Sequence, residues 1–242
     1  MILLNLGCGT RTCSDPRVIN MDWSIYLRLR QNPLLRRLAP WILQGARRER
    51  YLALPGNIRV WDVSRGLPFD SGSVDAVYHS HLLEHLDRDV APRFLSEIRR
   101  VLRPGGIVRM VVPDLELAAR SYLAQLERSL TDGEEAKAHD ESVARLLEQS
   151  VRREAASSRQ LSALRARVER LLLGDARGRG ETHQWMYDRV NLEQLVRSVG
   201  LGDPRVESFD SSRIEDWNSF GLDRDEHGGP YKPDSLYLEA RA

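Results

Sequence analysis

The chain opens on an apolar run, Met1-Ile-Leu-Leu-Asn-Leu6, that breaks directly into Gly7-Cys-Gly9. A second apolar run, Val18-Ile-Asn-Met21, ends in Asp22. A strand, a tight glycine turn and an acidic residue closing the next strand form the front half of a nucleoside-binding α/β site. Glycine lets a ligand approach the backbone because no Cβ stands in the way. The Asp22 carboxylate is placed to accept hydrogen bonds from a ribose diol. Thr10, Arg11 and Thr12 stand where a dinucleotide fingerprint would want its third glycine, the one that packs the pyrophosphate-carrying helix.

The remaining elements follow from apolar patterning. The joint between Gly9 and Val18 is shorter than the dozen or more residues of a parallel crossover and contains Pro16, so the first crossover helix is reduced or missing. Residues 24–56 read as one or two short helices broken at Pro33 and Pro40. Strands are expected near Ile2–Leu6, Val18–Met21, Ile58–Trp61, Val74–His79 and Ile107–Val112. A helix is expected at Ala91–Val101, with Arg103-Pro-Gly-Gly106 as a turn behind it. Residues 115–173 hold no strand pattern; Val143, Leu147 and Val151, then Leu161, Leu164, Val168 and Leu171, recur at helical spacing. A helix at Leu192–Ser198 and strands near Arg205–Phe209 and Ser235–Ala240 complete the chain. Cofactor-binding core, helical insertion (a lid or a dimer arm) and the returning part of the same domain are thus expected over 1–114, 115–182 and 183–242.

Composition excludes more than it selects. A formal net charge of +1 gives no global field for nucleic acid. No apolar run approaches the ~18–20 residues of a membrane span, and residues 1–6 lack the basic flank of a signal peptide, so a cytoplasmic protein is expected. Cys8 and Cys13 match neither a disulfide framework nor a zinc pattern. Residues 24–51 carry seven arginines against the single acid Glu49, interleaved with leucines and Trp41. An ordinary amphipathic surface explains this. So does contact with an anionic partner: a phosphate-bearing substrate, a membrane surface or an acidic carrier.

With three ordered segments in hand, LNLGCGT followed by Asp22, LPFDSGSVDAVYHSHLLEHL, and EIRRVLRPGGIVRMVVPD, the chain resembles the class I S-adenosylmethionine-dependent methyltransferases, in particular the methyltransferase type 11 group. KPDSLYLEA looks like that family's last strand. The resemblance implies a Rossmann-like α/β sheet, mostly parallel with an antiparallel last strand, here with a helical insertion. It implies S-adenosyl-L-methionine as cofactor and S-adenosyl-L-homocysteine as product. The implied cofactor contacts are Asn5, Gly7, Cys8 and Gly9 around the turn, with the two glycines under the methionine part. Asp22 would hold the ribose and Trp23 lie near the adenine. Asp62 and Val63 would take the adenine edge, and His79 and Ser80 line the cofactor from strand 4. The shortened first crossover departs from the family, and the insertion or residues 24–56 are expected to supply the missing cover. His183-Gln-Trp-Met-Tyr-Asp188 looks like a segment of methyltransferases encoded near glycan-assembly enzymes, which implies oxygen of a saccharide or another small molecule as acceptor.

Moving a methyl group onto a hydroxyl requires an aligned acceptor and removal of a proton, for which histidine is suited at neutral pH. His79, His81, His85, His139 and His183 lie where the fold could gather them on one face. His183, at the return of the insertion, is the first candidate base, with packing or capping as its bland alternative. His81 is second, and Asp114 is a supporting carboxylate unless it caps the next helix. His85 reads as a structural hydrogen bond near a helix start. No metal is expected, since no spacing completes a coordination set, and no Gly-x-Ser-x-Gly elbow marks a hydrolase. Two other readings stay open: a cofactor-binding but non-catalytic partner subunit, and an NAD-dependent enzyme, which the absent third glycine disfavours.

Overall fold

Leu3–Leu6 forms β1, and all four of its side chains are buried, as a central parallel strand covered on both faces requires. The computed structural model describes residues 1–43, 45–131, 136–150 and 183–242. Around β1 assemble β2 (Val18–Asp22), β3 (Ile58–Val60), β4 (Val74–Ser80), β5 (Leu102–Pro113), β6 (Gly202–Glu207) and β7 (Ser235–Arg241) in the order β3-β2-β1-β4-β5-β7-β6. The pairs β1–β2, β1–β4, β2–β3 and β4–β5 are parallel. Only β7 runs against its neighbours, wedged between β5 and β6. The implied mostly parallel sheet with an antiparallel last strand is the sheet observed.

Among the described residues the helices begin with α1 (Ile25–Gln31), α2 (Pro33–Ile42), α3 (Ala46–Leu52), α4 (Ala91–Val101) and α5 (Leu115–Thr131). Then follow α6 (Ala136–Ser150), α7 (Arg189–Ser198) and the short α8 (Trp217–Phe220). One sheet face packs Leu4, Val77, Val108 and Met110 against Leu95 and Ile98 of α4 and Leu192 and Val196 of α7. The other packs Leu3, Tyr78 and Val111 against Ile214, Trp217, Phe220 and Leu222 of the β6–β7 connection. The described residues between β1 and β2 contain no helix, as expected, and among the described residues the sheet face beside them is covered by 214–222. Arg11 ties the short crossover to that cover: its Nε donates to the Leu222 carbonyl at 3.2 Å, and Nη2 donates to the carbonyls of Gly221 and Arg224.

Two local expectations are corrected. Pro40 does not break its helix; it lies inside α2, while Pro33 occupies the first turn, where a missing N–H costs nothing. The carbonyl that Pro40 leaves unpaired, four residues back at Arg36, accepts the Tyr51 hydroxyl of α3 at 3.4 Å. Arg103-Pro-Gly-Gly106 is not a free turn but part of β5. Leu102 pairs with Val74 and Ile107 with Ala76, so the four residues bulge out opposite Asp75 alone. Gly105 supplies the φ of +75°. A Cβ on Gly106 would come within 2.9 Å of the Arg103 carbonyl and 3.0 Å of the Asp75 carbonyl, so glycine is required there.

α5 and α6 pack on each other and carry the described part of the insertion. The expected helical spacing at Leu161–Leu171 lies outside the described residues. None of the helices among the described residues is long and apolar enough to cross a membrane.

Candidate active site

The strand order reverses between β1 and β4, and parallel α/β sheets open their ligand crevice at the carboxyl ends flanking such a switch. Gly7, Asp22, His81 and Asp114 all stand at or just beyond those ends. An open cavity of about 550 Å³ lined by Ile2, Leu67, Phe69 and Ser73 lies at the amino ends of β1 and β4, away from these groups.

One side of the crevice is held by the first two strands. Gly7 and Gly9 take φ of +64° and +53°, and a Cβ on Gly9 would meet only open space, so the turn offers bare backbone to a ligand. Asp22 pins this turn: Oδ2 accepts the Gly9 N–H at 2.8 Å and Oδ1 accepts the Ser24 N–H at 2.7 Å. Burial raises the Asp22 pKa against those two bonds. Each carboxylate oxygen keeps a lone pair for a ribose hydroxyl. Asn5 donates to the Arg11 carbonyl and to Asn20 Oδ1, both at 2.9 Å, so it shapes the loop from beneath. Cys8 is buried, its thiol pushed up by that burial and by Asp22. Trp23 leaves 41% of its surface exposed, with the Arg28 guanidinium 4.9 Å from its ring. Asp62 starts a 3-10 turn, Val63–Arg65, by accepting from Ser64 N–H and Oγ at 3.1 and 2.6 Å. Ser80 ends β4 with a buried hydroxyl that has no hydrogen-bond partner. His79 lies inside the core rather than on the crevice wall. It is wholly buried, edge-on to Phe94 at 5.5 Å, and burial pulls it down to about 3.

The other side is built from the loop after β4. His81 adopts φ +49°, and Leu82 behind it would lie 3.1 Å from a Cβ on Gly7, so this loop abuts the glycine turn. The 3-10 turn Leu83–His85 follows. The Glu84 carbonyl accepts the N–H groups of Gln184 and Trp185 at 2.7 and 3.3 Å. That clamp sets His183 beside His85, ring centroids 4.9 Å apart. His81 Nδ1 is 3.5 Å and His85 Nε2 3.9 Å from Glu84 Oε1. Burial pushes Glu84 up to about 8 and His81 down to about 3. His139 instead packs on Tyr122 of α5. Asp114 caps α5, accepting the Glu116 and Leu117 N–H groups at 2.9 and 3.2 Å.

Glu84 was not a candidate in the sequence, although His81, Glu84 and His85 stand at i, i+3 and i+4, the spacing that shares one face of a helical turn. The expectation of no metal set rested on spacing along the chain. The fold supplies what spacing lacks, because Glu84, His85 and His183 offer ligand atoms that all lie within 4.8 Å of one another.

Residues 41–110, which take in α3, β3, β4, α4 and most of β5, match the family model described as methyltransferase domain. Over that segment the chain is similar to methyltransferase domains. Three solved structures illustrate the likeness. A SAM-dependent methyltransferase from Methanosarcina mazei is 16% identical, with a TM-score of 0.46, over 99% of this chain and 91% of that one. One from Mesorhizobium loti is 15% identical, TM-score 0.44, over 100% and 90%. One from Archaeoglobus fulgidus is 14% identical, TM-score 0.43, over 99% and 85%. No curated protein matches the chain. For the methyltransferase domain the implied cofactor is S-adenosylmethionine. The bare backbone at Gly9, the pinned Asp22 carboxylate and the exposed Trp23 ring are of the chemical kinds that would suit its methionine, ribose and adenine ends.

Proposed function

We propose that this chain catalyses transfer of a methyl group from S-adenosylmethionine to a hydroxyl oxygen of a small acceptor, a saccharide being the first class to test. The observation that carries this reading is the contact between the two halves of the crevice: Leu82, flanked by His81, lies against Gly7 of the cofactor turn. A cofactor laid on the turn would present its methyl toward the histidine cluster. When bound, the cofactor supplies an electrophilic methyl on a sulfonium. The acceptor oxygen forms the new C–O bond as the C–S bond breaks, and the acceptor proton must leave to the protein. His183 is the group proposed to receive it, because burial makes His81 a weak base and Asp114 is engaged as a helix cap. Aligned reactants supply the rest, on the order of 7–11 kcal/mol of barrier in favourable cases.

Calorimetric titration with S-adenosylhomocysteine and with NAD tests the cofactor class, and a methyl-release assay over a panel of saccharides and phenols tests the acceptor. Cofactor binding without turnover on any acceptor would favour the non-catalytic partner subunit. Asp22→Ala will weaken S-adenosylhomocysteine binding at least ~10-fold in a folded protein, since an unpaired buried polar group costs about 1–3 kcal/mol. Unchanged affinity would remove Asp22 from the site.

The basic segment supports an anionic partner. Leu34, Leu38 and Trp41 stand one helical turn apart on α2, and Trp41 is 84% exposed beside Arg37. We propose that this face meets an anionic membrane surface. The protein should sediment with phosphatidylserine-containing vesicles and not with neutral ones, and Trp41→Ser should abolish the difference. Equal recovery with both vesicle types would refute it.

A further inference from the structure

Glu84 is the most anomalous side chain among the described residues. It is wholly buried, and among the described residues neither carboxylate oxygen has a side-chain hydrogen-bond partner; its own backbone N–H and the charge of Lys232 are what favour its ionised form. An ionised carboxylate in that state is strongly penalised unless a counter-charge or a metal satisfies it. The charges around it do not do so by hydrogen bonding. The His81 and His85 nitrogens stand 3.5 and 3.9 Å from Oε1, beyond the 2.7–3.2 Å of an N–H···O bond.

Those separations suit a different arrangement. Two ligand atoms each about 2.0–2.2 Å from a shared cation lie roughly 3.0–3.5 Å apart. His81 Nδ1 and Glu84 Oε1 already have that spacing. The ligand atoms of Glu84, His85 and His183 all lie within 4.8 Å of one another, close enough to draw in around an ion by side-chain rotation.

The groups behind these ligands are oriented as a metal site needs. His81 Nε2 lies 2.9 Å from Ser235 Oγ, whose hydroxyl is 3.5 Å from the Pro233 carbonyl; with the proton on Nε2, the Nδ1 lone pair faces Glu84. A ring nitrogen fixed by a hydrogen bond is the usual support of a ligating histidine. The backbone bonds from Gln184 and Trp185 to the Glu84 carbonyl hold the distant His183 in place.

We propose that Glu84, His85 and His183, with His81 as a fourth ligand, bind one divalent first-row transition cation, of the Zn²⁺ or Mn²⁺ kind. Imidazoles with a single carboxylate favour such ions over Mg²⁺, which prefers oxygen ligands and keeps its waters. Resting on the methyl-transfer reading, the cation would hold the acceptor hydroxyl and make its proton easier to lose. His183 would then act as a ligand, and the acceptor hydroxyl, acidified by the cation, would give its proton to solvent water rather than to a protein base.

The test is made on the full chain after dialysis against a chelator. Calorimetry with Zn²⁺ and Mn²⁺, and absorption spectroscopy with Co²⁺, should show one ion per chain and a visible d–d band. Glu84→Gln and His183→Ala should each lower the affinity by about 100-fold or more, and Ser235→Ala by about 10–100-fold. Circular dichroism and S-adenosylhomocysteine titration on the same variants read folding and the cofactor site separately. Absence of saturable binding of all three ions to the native chain, or unchanged affinity in folded Glu84→Gln, would overturn the site. Metal binding without S-adenosylhomocysteine binding would leave the site standing and defeat the methyl-transfer reading instead.

Discussion

Replacing Arg109 by Met will lower the unfolding free energy by about 3–5 kcal/mol, the usual consequence of removing one member of a buried ionic network. Arg109 has no exposed surface. Its Nε donates to Asp223 Oδ2 at 2.7 Å and its Nη1 to Glu239 Oε1 at 2.9 Å. It also donates to the carbonyls of Ser211 and Ser208 at 2.8 and 2.7 Å. Asp223 further accepts the Tyr78 hydroxyl at 2.6 Å, and Glu239 accepts the Arg213 N–H at 2.9 Å. Methionine fills much of the arginine stem but strands two carboxylates in the core. Against a typical domain stability of about 5–15 kcal/mol, that is a large share. Urea denaturation followed by tryptophan fluorescence reads it directly. Arg109→Lys should restore little, since one ammonium cannot reach four acceptors on diverging lines. A shift below ~1 kcal/mol in Arg109→Met would show that the network breaks even with an apolar core.

His183→Ala should lower turnover by about 10²- to 10⁴-fold with the true acceptor, while S-adenosylhomocysteine affinity stays within twofold of wild type. The asymmetry is the point of the experiment. His183 sits with His85 and Glu84, whereas the proposed cofactor contacts lie at the ends of β1 and β2. Equal loss of cofactor affinity would place His183 in the cover over the crevice, and unchanged turnover would make it a packing residue. Supplied imidazole that restores turnover would identify a free base, and failure of such rescue is expected if the ring is a ligand.

Local chemistry made part of this legible in the sequence. The Gly7–Gly9 turn and the Asp22 that pins it can be read because both lie within the first 22 residues, and β1 and β4 announce themselves by apolar runs and α4 by helical spacing. Ala91–Val101 is found where its spacing places it. What escaped depends on the chain returning from far away. Ile214, Trp217, Phe220 and Leu222 follow no period, so their cover of one sheet face emerges only in three dimensions. Arg109 reads as an ordinary polar residue in a β-branched strand until Asp223 and Glu239 meet it. Pro40 reads as a breaker because the Tyr51 hydroxyl that relieves its lost bond belongs to another helix. Glu84 sits in the open in LLEHL, yet its burial and its neighbour His183 are tertiary facts.

The clamp from Arg11 to Leu222, Gly221 and Arg224 has a consequence for the order of events during synthesis. The two ends of that clamp are about 210 residues apart in the chain. At roughly 5–20 residues per second on the ribosome, the glycine loop emerges about 10–40 s before its anchor exists. β7, which must slide between β5 and β6, arrives later still. Nascent chains halted before residue 221 will therefore present the strand-and-glycine sequence without a settled loop, and cofactor capture becomes one of the last steps of maturation rather than the first.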